Sequence, residues 1–251
     1  LTGFGGVIYN KTILEREGLT DVLDLYEQGM WDWEHFLDYA VKATKDTNGD
    51  GIVDNYGICA KNNALFINKI TNSNGVASIG ESNGKIAYNY DTPEGKRALQ
   101  FISDLTFVYK VFTTQALKGY QSGKILFFIE EHTNNSMALE VGIDSWNAPL
   151  PSGPDLKQPT RISTGCNSFG ISVLCDIPKE AAVILRDIMI LWEEDGKTYN
   201  SLFMEIEGDG MKLWDPGYPS RDFNSERDAR IVANFSGPII WEMTAATGLT
   251  S

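Results

Sequence analysis

Two rhythms of apolar residues alternate along the chain. Short runs of consecutive or every-other apolar positions predict strands over 7–9, 56–60, 85–89, 124–129, 145–150 and 169–174. Between them, apolar residues recur every three or four positions, as on one face of a helix. Thr12 and Thr20 stand where they can cap two short helices, the first ending at Gly18 and the second carrying Val22, Leu23, Leu25 and Tyr26. Asp32 precedes the stripe Phe36, Leu37, Ala40 and Val41. Thr92-Pro93-Glu94 starts a helix with Leu99, Ile102, Leu105 and Val108, proline taking the first turn where its missing N–H costs nothing. Shorter helices are predicted over 64–70, 116–121 and 133–141. After Cys175 the pattern changes. Asp176-Ile177-Pro178 opens a strong helix to Trp192, and only helices and loops follow, at 195–206, 224–235 and 238–247. The prediction is an α/β part over 1–174 followed by a helical part over 175–251, with no internal repeat.

Composition narrows the function. The 251 residues are 42% hydrophobic and carry a net charge of −13, which repels phosphate backbones and excludes general nucleic-acid binding. No run reaches the roughly 18 apolar residues that a membrane helix needs; the densest stretch, 181–192, is broken by Arg186 and Asp187. Two histidines and three cysteines, Cys59, Cys166 and Cys175, show no zinc spacing, and the odd cysteine count argues against a disulfide framework. The chain opens Leu1-Thr2-Gly3 directly into a strand, from which further sequence upstream is expected.

Three constellations carry candidate chemistry. In 46–54, Asp46, Asn48, Asp50 and Asp54 occupy positions 1, 3, 5 and 9 of an EF-hand-like loop, Gly51 takes position 6, and the Ile52 carbonyl adds a further oxygen. Position 12 is Gly57 rather than a bidentate glutamate. Two readings fit: a structural calcium site, or an Asx-type turn without metal. Glu130-Glu131-His132 follows a buried strand, and Asn134 and Asn135 continue the polar run. Polar residues just past a strand end suit a ligand cleft, and they equally suit a solvated helix start. Consecutive strand residues face opposite ways, which is poor geometry for a glycosidase pair. Cys166 and His132 form a conceivable nucleophile and base, but no surrounding motif supports them. Trp31, Trp146, Trp214 and Trp241 lie near loops or helix starts, where aromatic faces can stack on sugars or simply pack, while Trp33 and Trp192 fall within helix stripes.

The order of these landmarks resembles the extracellular solute-binding proteins of ABC importers, in the group that includes maltodextrin-binding proteins. Val7-Ile8-Tyr9-Asn10-Lys11 with Gly18-Leu19 resembles the group's "YNK…GL" segment. Trp31-Asp32-Trp33-Glu34-His35-Phe36 resembles its "TWDEF" helix start, and Asp46 to Gly57 its "GDG…D-x-YG" loop. Gly119-Tyr120-Gln121-Ser122-Gly123-Lys124-Ile125-Leu126 is similar to "F-x-x-GKAAM", Trp146-Asn147-Ala148-Pro149-Leu150-Pro151-Ser152-Gly153-Pro154 to "APLPxGPD", and Tyr218-Pro219-Ser220-Arg221 to the late "xxPxR" loop. These matches span most of the chain.

The resemblance implies a periplasmic-binding-protein-like two-lobe α/β clamp. Residues 1–174 would be mainly its second lobe, with hinge strands near 4–9 and 165–172. Residues 175–251 would pack on a first lobe that precedes this sequence. It also implies capture of a sugar or oligosaccharide by hinge closure and delivery to the importer's membrane subunits. The protein would be an extracellular monomer, lipid-anchored at the cell surface, that is not an enzyme and requires no cofactor. By position, the ligand-binding candidates are Asn62, Asn63 and Phe66; Glu131, His132 and Asn134; Cys166, Asn167 and Ser168; and Trp214 and Tyr218. The alternatives are a glycoside hydrolase using Glu130 or Glu131, and a calcium-stabilised surface module.

Overall fold

The structure, a computed structural model, describes residues 2–82, 85–114, 116–131, 138–156, 163–166, 171–184, 205–207, 210–212 and 227. Its centre is a six-stranded mixed sheet. β1 (Thr2–Asn10) pairs antiparallel with β6 (Ile125–Glu131) on one side. On its other side β1 pairs with two strands in turn: β7 (Ser145–Ala148) along Val7–Asn10, and β8 (Ser163–Cys166) along Thr2–Gly5. Beyond β6 lie β2 (Tyr56–Ala60) and then the short β5 (Phe112–Thr113), both parallel to the strand before them.

Alternation along the strands sorts side chains to two faces. Val7, Tyr9, Ile58, Ala60, Phe127 and Ile129 enter the larger core, while Ile8, Cys59 and Phe128 enter the smaller one. The larger core is covered by α1 (Lys11–Arg16), α2 (Val22–Glu27), α3 (Trp33–Ala43), α4 (Asn63–Ser73) and α5 (Pro93–Ser103). The smaller is closed by Tyr120 of α6 (Ala116–Gln121), whose hydroxyl is 2.8 Å from Ser145 Oγ, and by Ala138. Helix α3 lies so close on β2 that a Cβ at Gly57 would sit 2.4 Å from the Ala40 carbonyl oxygen. Among the described residues, no helix is long and apolar enough to cross a membrane.

Caps explain where the helices start. Asp32 accepts from the His35 N–H at 2.9 Å and Thr92 from the Gly95 N–H at 3.1 Å, as the sequence predicts. The first two caps fall elsewhere: Asn10, not Thr12, caps α1, and Asp21, not Thr20, caps α2. Asp21 is doubly useful, since the Tyr9 hydroxyl donates to it at 3.1 Å and ties α2 to the end of β1.

Three predicted elements differ from the structure. The strand expected over 169–174 is not formed in 171–174, where 173–174 is a turn; Val173 and Leu174 are almost fully exposed. Both edges of β1 are taken, one by β6 and the other by β7 and β8, so β1 offers these residues no place to pair. Residues 205–207 and 210–212, expected in a helix and loop, form an antiparallel pair. The strand at 85–88 is present, but it pairs with β3 (Ile79–Ser82) in a separate two-stranded sheet as β4 (Lys85–Tyr88). A helix runs over 178–184, within the span expected from Pro178. Far along the chain, Arg227 donates to Asp24 at 2.5 Å and to Glu27 at 2.9 Å on α2, so this part of the C-terminal region meets the α/β part.

Candidate functional site

Because β2, β5 and β6 run parallel, their carboxyl ends gather at one edge of the sheet. Register fixes who meets there. Ala60 lies opposite Ile129, Cys59 opposite Thr113, and Gly5 opposite Glu131, while Thr2 to Gly5 continue alongside Cys166 to Ser163. The edge therefore brings together the Lys61-Asn62-Asn63 turn, Thr113-Thr114, Glu130-Glu131, the amino end of β1 and β8. In open α/β sheets ligands bind outside the carboxyl ends of the strands, because side chains and backbone from several loops converge there while the sheet holds them in place.

The local chemistry is amide- and hydroxyl-rich. Asn62 is exposed, and its side-chain oxygen caps α4 by accepting from the Ala64 N–H at 2.8 Å and the Leu65 N–H at 3.3 Å. Asn63, the first residue of the helix, is also exposed. Glu130 is 4% exposed and sits beside Gly6 on β1. Cys59, one strand away, has its thiol pushed up by burial and further by the charge of Glu130, which keeps it protonated and unreactive.

The structure sorts the predicted residues. Asn62, Asn63, Glu131 and Cys166 are brought to the same edge. Phe66 is a correction: it is 2% exposed and stacked on Phe112 with ring centroids 4.7 Å apart, so it offers no face to a ligand. The helical stripe turns it into the core together with Ile70. His132, Asn134, Asn167, Ser168, Trp214 and Tyr218 lie outside the described residues. Sequence reasoning missed Lys61 and Thr114, both exposed at the edge. Lys61 was within reach, as the first polar residue after a predicted strand. A strand as short as β5 leaves no pattern from which to find Thr114.

Among the loop tryptophans, Trp31 is buried in the core and Trp146 packs against it with Lys11 over its ring at 4.2 Å. The 46–54 loop closes on its own backbone. Asp46 accepts from the N–H groups of Gly49 and Gly51, both at 2.7 Å; Asn48 accepts from Asp50, and Asp50 from Ile52, both at 2.8 Å. Asp54 accepts from the Thr47 hydroxyl at 2.6 Å. These contacts are those of nested Asx turns. Among the described residues no group of three His, Cys, Asp or Glu side chains is placed to take a metal ion; of the candidate calcium residues, Asp46, Asn48, Asp50 and Asp54 instead accept hydrogen bonds from within the loop.

The decisive observation is a family match over the whole α/β part. The model of the bacterial extracellular solute-binding protein family fits residues 1–183. The chain belongs to that family. No curated protein sequence matches it. Among solved structures, it is similar to the maltose/maltodextrin-binding domain MalE of Bdellovibrio bacteriovorus bound to maltotriose. That match has 18% identity and a TM-score of 0.61, covering 96% of this chain and 61% of that one. It is similar to an ABC substrate-binding protein of Listeria monocytogenes in complex with cycloalternan, at 17% identity and TM-score 0.60, covering 94% and 54%. A Thermotoga lettingae ABC-transporter solute-binding protein bound with α-D-tagatose matches at 19% identity and TM-score 0.53, covering 77% and 51%. At these identities the likeness establishes the fold, which is that of periplasmic-binding-protein-like clamps. The chain spans about half to three fifths of the length of these solute-binding proteins.

Proposed function

We propose that the chain is the ligand-gripping α/β lobe of an ABC importer's solute-binding protein, and that its cargo is a sugar or oligosaccharide. Residues 1–174 act as the second lobe of the clamp, and 175–251 carry the chain back toward the first. Closure about the strands that cross between lobes traps the solute, with the closed state favoured by its extra contacts. The loaded protein, an extracellular lipid-anchored monomer, hands its cargo to the importer's membrane subunits and performs no catalysis on it.

The observation that carries this reading is the family match across residues 1–183, joined to an edge where amides and carboxylates converge beyond parallel strands. Such groups exchange hydrogen bonds with sugar hydroxyls, and several are needed because each contributes only about 1 kcal/mol net. Consecutive Glu130 and Glu131 on one strand do not supply the facing carboxylates of a glycosidase.

The test is a thermal-shift and calorimetric screen of this chain joined to the clamp's first lobe, with maltotriose, tagatose, a polyol and a tetrapeptide. A ligand at about 100 times its dissociation constant adds roughly 2.7 kcal/mol, a shift of several degrees. A shift confined to saccharides supports the assignment. A shift confined to the peptide, or none across the panel from a folded sample, overturns the sugar reading.

A further inference from the structure

The segment between β7 and β8 leaves the sheet at Ala148 and returns at Ser163, pairing with the same edge of β1 on both occasions. Residues 149–155 of it are strapped to α3, α4 and α5 and to the turn before α3. The Trp31 indole N–H donates to the Pro149 carbonyl at 2.8 Å. The Ser152 N–H donates to the Trp31 carbonyl and the Trp33 N–H to the Ser152 carbonyl, both at 3.0 Å. The Gly153 N–H donates to the Ser73 carbonyl at 2.8 Å. Asn74, 1% exposed, donates to Asp155 Oδ2 at 2.8 Å and accepts from the Asp155 N–H at 3.0 Å. Arg97 closes the cluster with a fork onto Asp155, at 2.7 and 2.9 Å. Gly153 is there because nothing larger fits: a Cβ would lie 2.3 Å from Asn74 Oδ1.

β8 itself is four residues long, and β1 is its sole strand partner among the described residues. A short edge strand holds its place weakly by its own hydrogen bonds. The last anchor described before it is Asp155; losing the strap lengthens the connection into β8 from the seven residues after Asp155 to the fourteen after Ala148, and closing a longer connection onto a weak strand costs more entropy. We propose that Asn74 and Asp155 are positioning residues for the binding edge. They pin the strap, and the strap sets how β8 meets Thr2–Gly5, the strand pair bordering the candidate ligand site. The consequence for affinity rests on the solute-binding reading above; the consequence for β8 does not.

The experiment is hydrogen-exchange mass spectrometry on the full chain, wild type against Asp155→Ala and Asn74→Ala, with maltotriose affinity measured on wild type and the same variants joined to the clamp's first lobe. Exchange of the amides at 2–5 and 163–166 is expected to quicken about threefold, with 7–9 and 127–129 unchanged. Maltotriose affinity is expected to weaken severalfold. Unchanged exchange at 163–166 with faster exchange at 150–156 overturns the proposal. So does an equal acceleration at 127–129, which reports global loss of stability. Should those variants not fold, Arg97→Ala leaves the Asn74–Asp155 pair in place and carries the same comparison with a smaller expected change. If wild type binds no saccharide, the solute reading fails while the exchange pattern still decides the strap.

Discussion

The strap over 149–156 and the loop over 46–54 are built from the same residue types: aspartate, glycine, and small polar or proline neighbours. Their physics is opposite. Every side-chain bond of the loop stays within it, at separations of two to seven positions and in solvent, and its base is pinched by Lys45 and Asn55, whose backbones bond to each other at 3.0 Å. The strap bonds to Trp31, Trp33, Ser73, Asn74 and Arg97, all distant in sequence and several buried. One is a self-contained turn; the other fastens the helix layer to the chain that re-enters the sheet. Hydrogen bonds of similar length thus carry different weight, because breaking a buried long-range one strands its partner away from water while an exposed one is replaced by solvent.

Glycine substitutions should separate the two most sharply. Gly153→Ala forces a Cβ to within 2.8 Å of the Asn74 Cα, a backbone atom that cannot swing aside. It is expected to cost about 1–3 kcal/mol by overpacking, read as a lower Tm. Gly51→Ala meets open space, and its penalty comes only from a φ of +85°. That is expected to be about 1 kcal/mol, with no change at the distant strap. Equal costs at the two sites would erase the distinction.

Acid should test the same contrast more gently. The Arg97 guanidinium, and then the Asn74 amide, hold Asp155 below its ordinary value, while the Gly51 N–H, followed by those of Gly49 and Asn48, does so for Asp46. A depressed carboxylate pKa means the unfolded chain binds the proton first. Both contributions are therefore full above the ordinary value of 3.8 and vanish as pH falls through the lower folded value. Stability measured by urea unfolding is expected to decline below about pH 4. Asp155→Asn should flatten part of that decline, and added salt should mimic it, because the Arg97 pair is half-exposed and screened. Asp46→Asn should show a pH effect without the salt effect. A salt-independent Asp155 would mean that its ion pair adds nothing.

Much of the fold was legible before the structure, and the reasons are local. Val7–Tyr9, 56–60 and 124–129 carry strong strand patterns, and Asp32 and Thr92 are unambiguous caps, so these elements follow from neighbours in sequence. The misreadings concern partners. Val173 and Leu174 have the pattern of a strand but lie in an exposed turn, β1 having both its edges taken, and Phe66 follows a predicted strand as a binding residue would, yet its helix turns it inward. The candidate edge was partly visible, since Asn62 and Glu131 follow from strand ends. Lys61 and Thr114 emerge only when register sets three parallel strands side by side.

The smallest effect concerns metal. The sequence of 46–54 supplies oxygens at EF-hand spacing, yet Asp46, Asn48, Asp50 and Asp54 already accept from the loop's own N–H and O–H groups. An ion would have to compete with those bonds, and Gly57 stands where a calcium loop places its bidentate carboxylate. Chelator is therefore expected to leave the Tm unchanged, and millimolar calcium to raise it by less than a degree or so, as nonspecific binding to an acidic chain would. The control is Asp50→Ala. A calcium-dependent rise of several degrees that this substitution abolishes would make the loop a metal site, and the contrast with the strap would then be between two kinds of fastening, ionic and hydrogen-bonded, rather than between a fastening and a free turn.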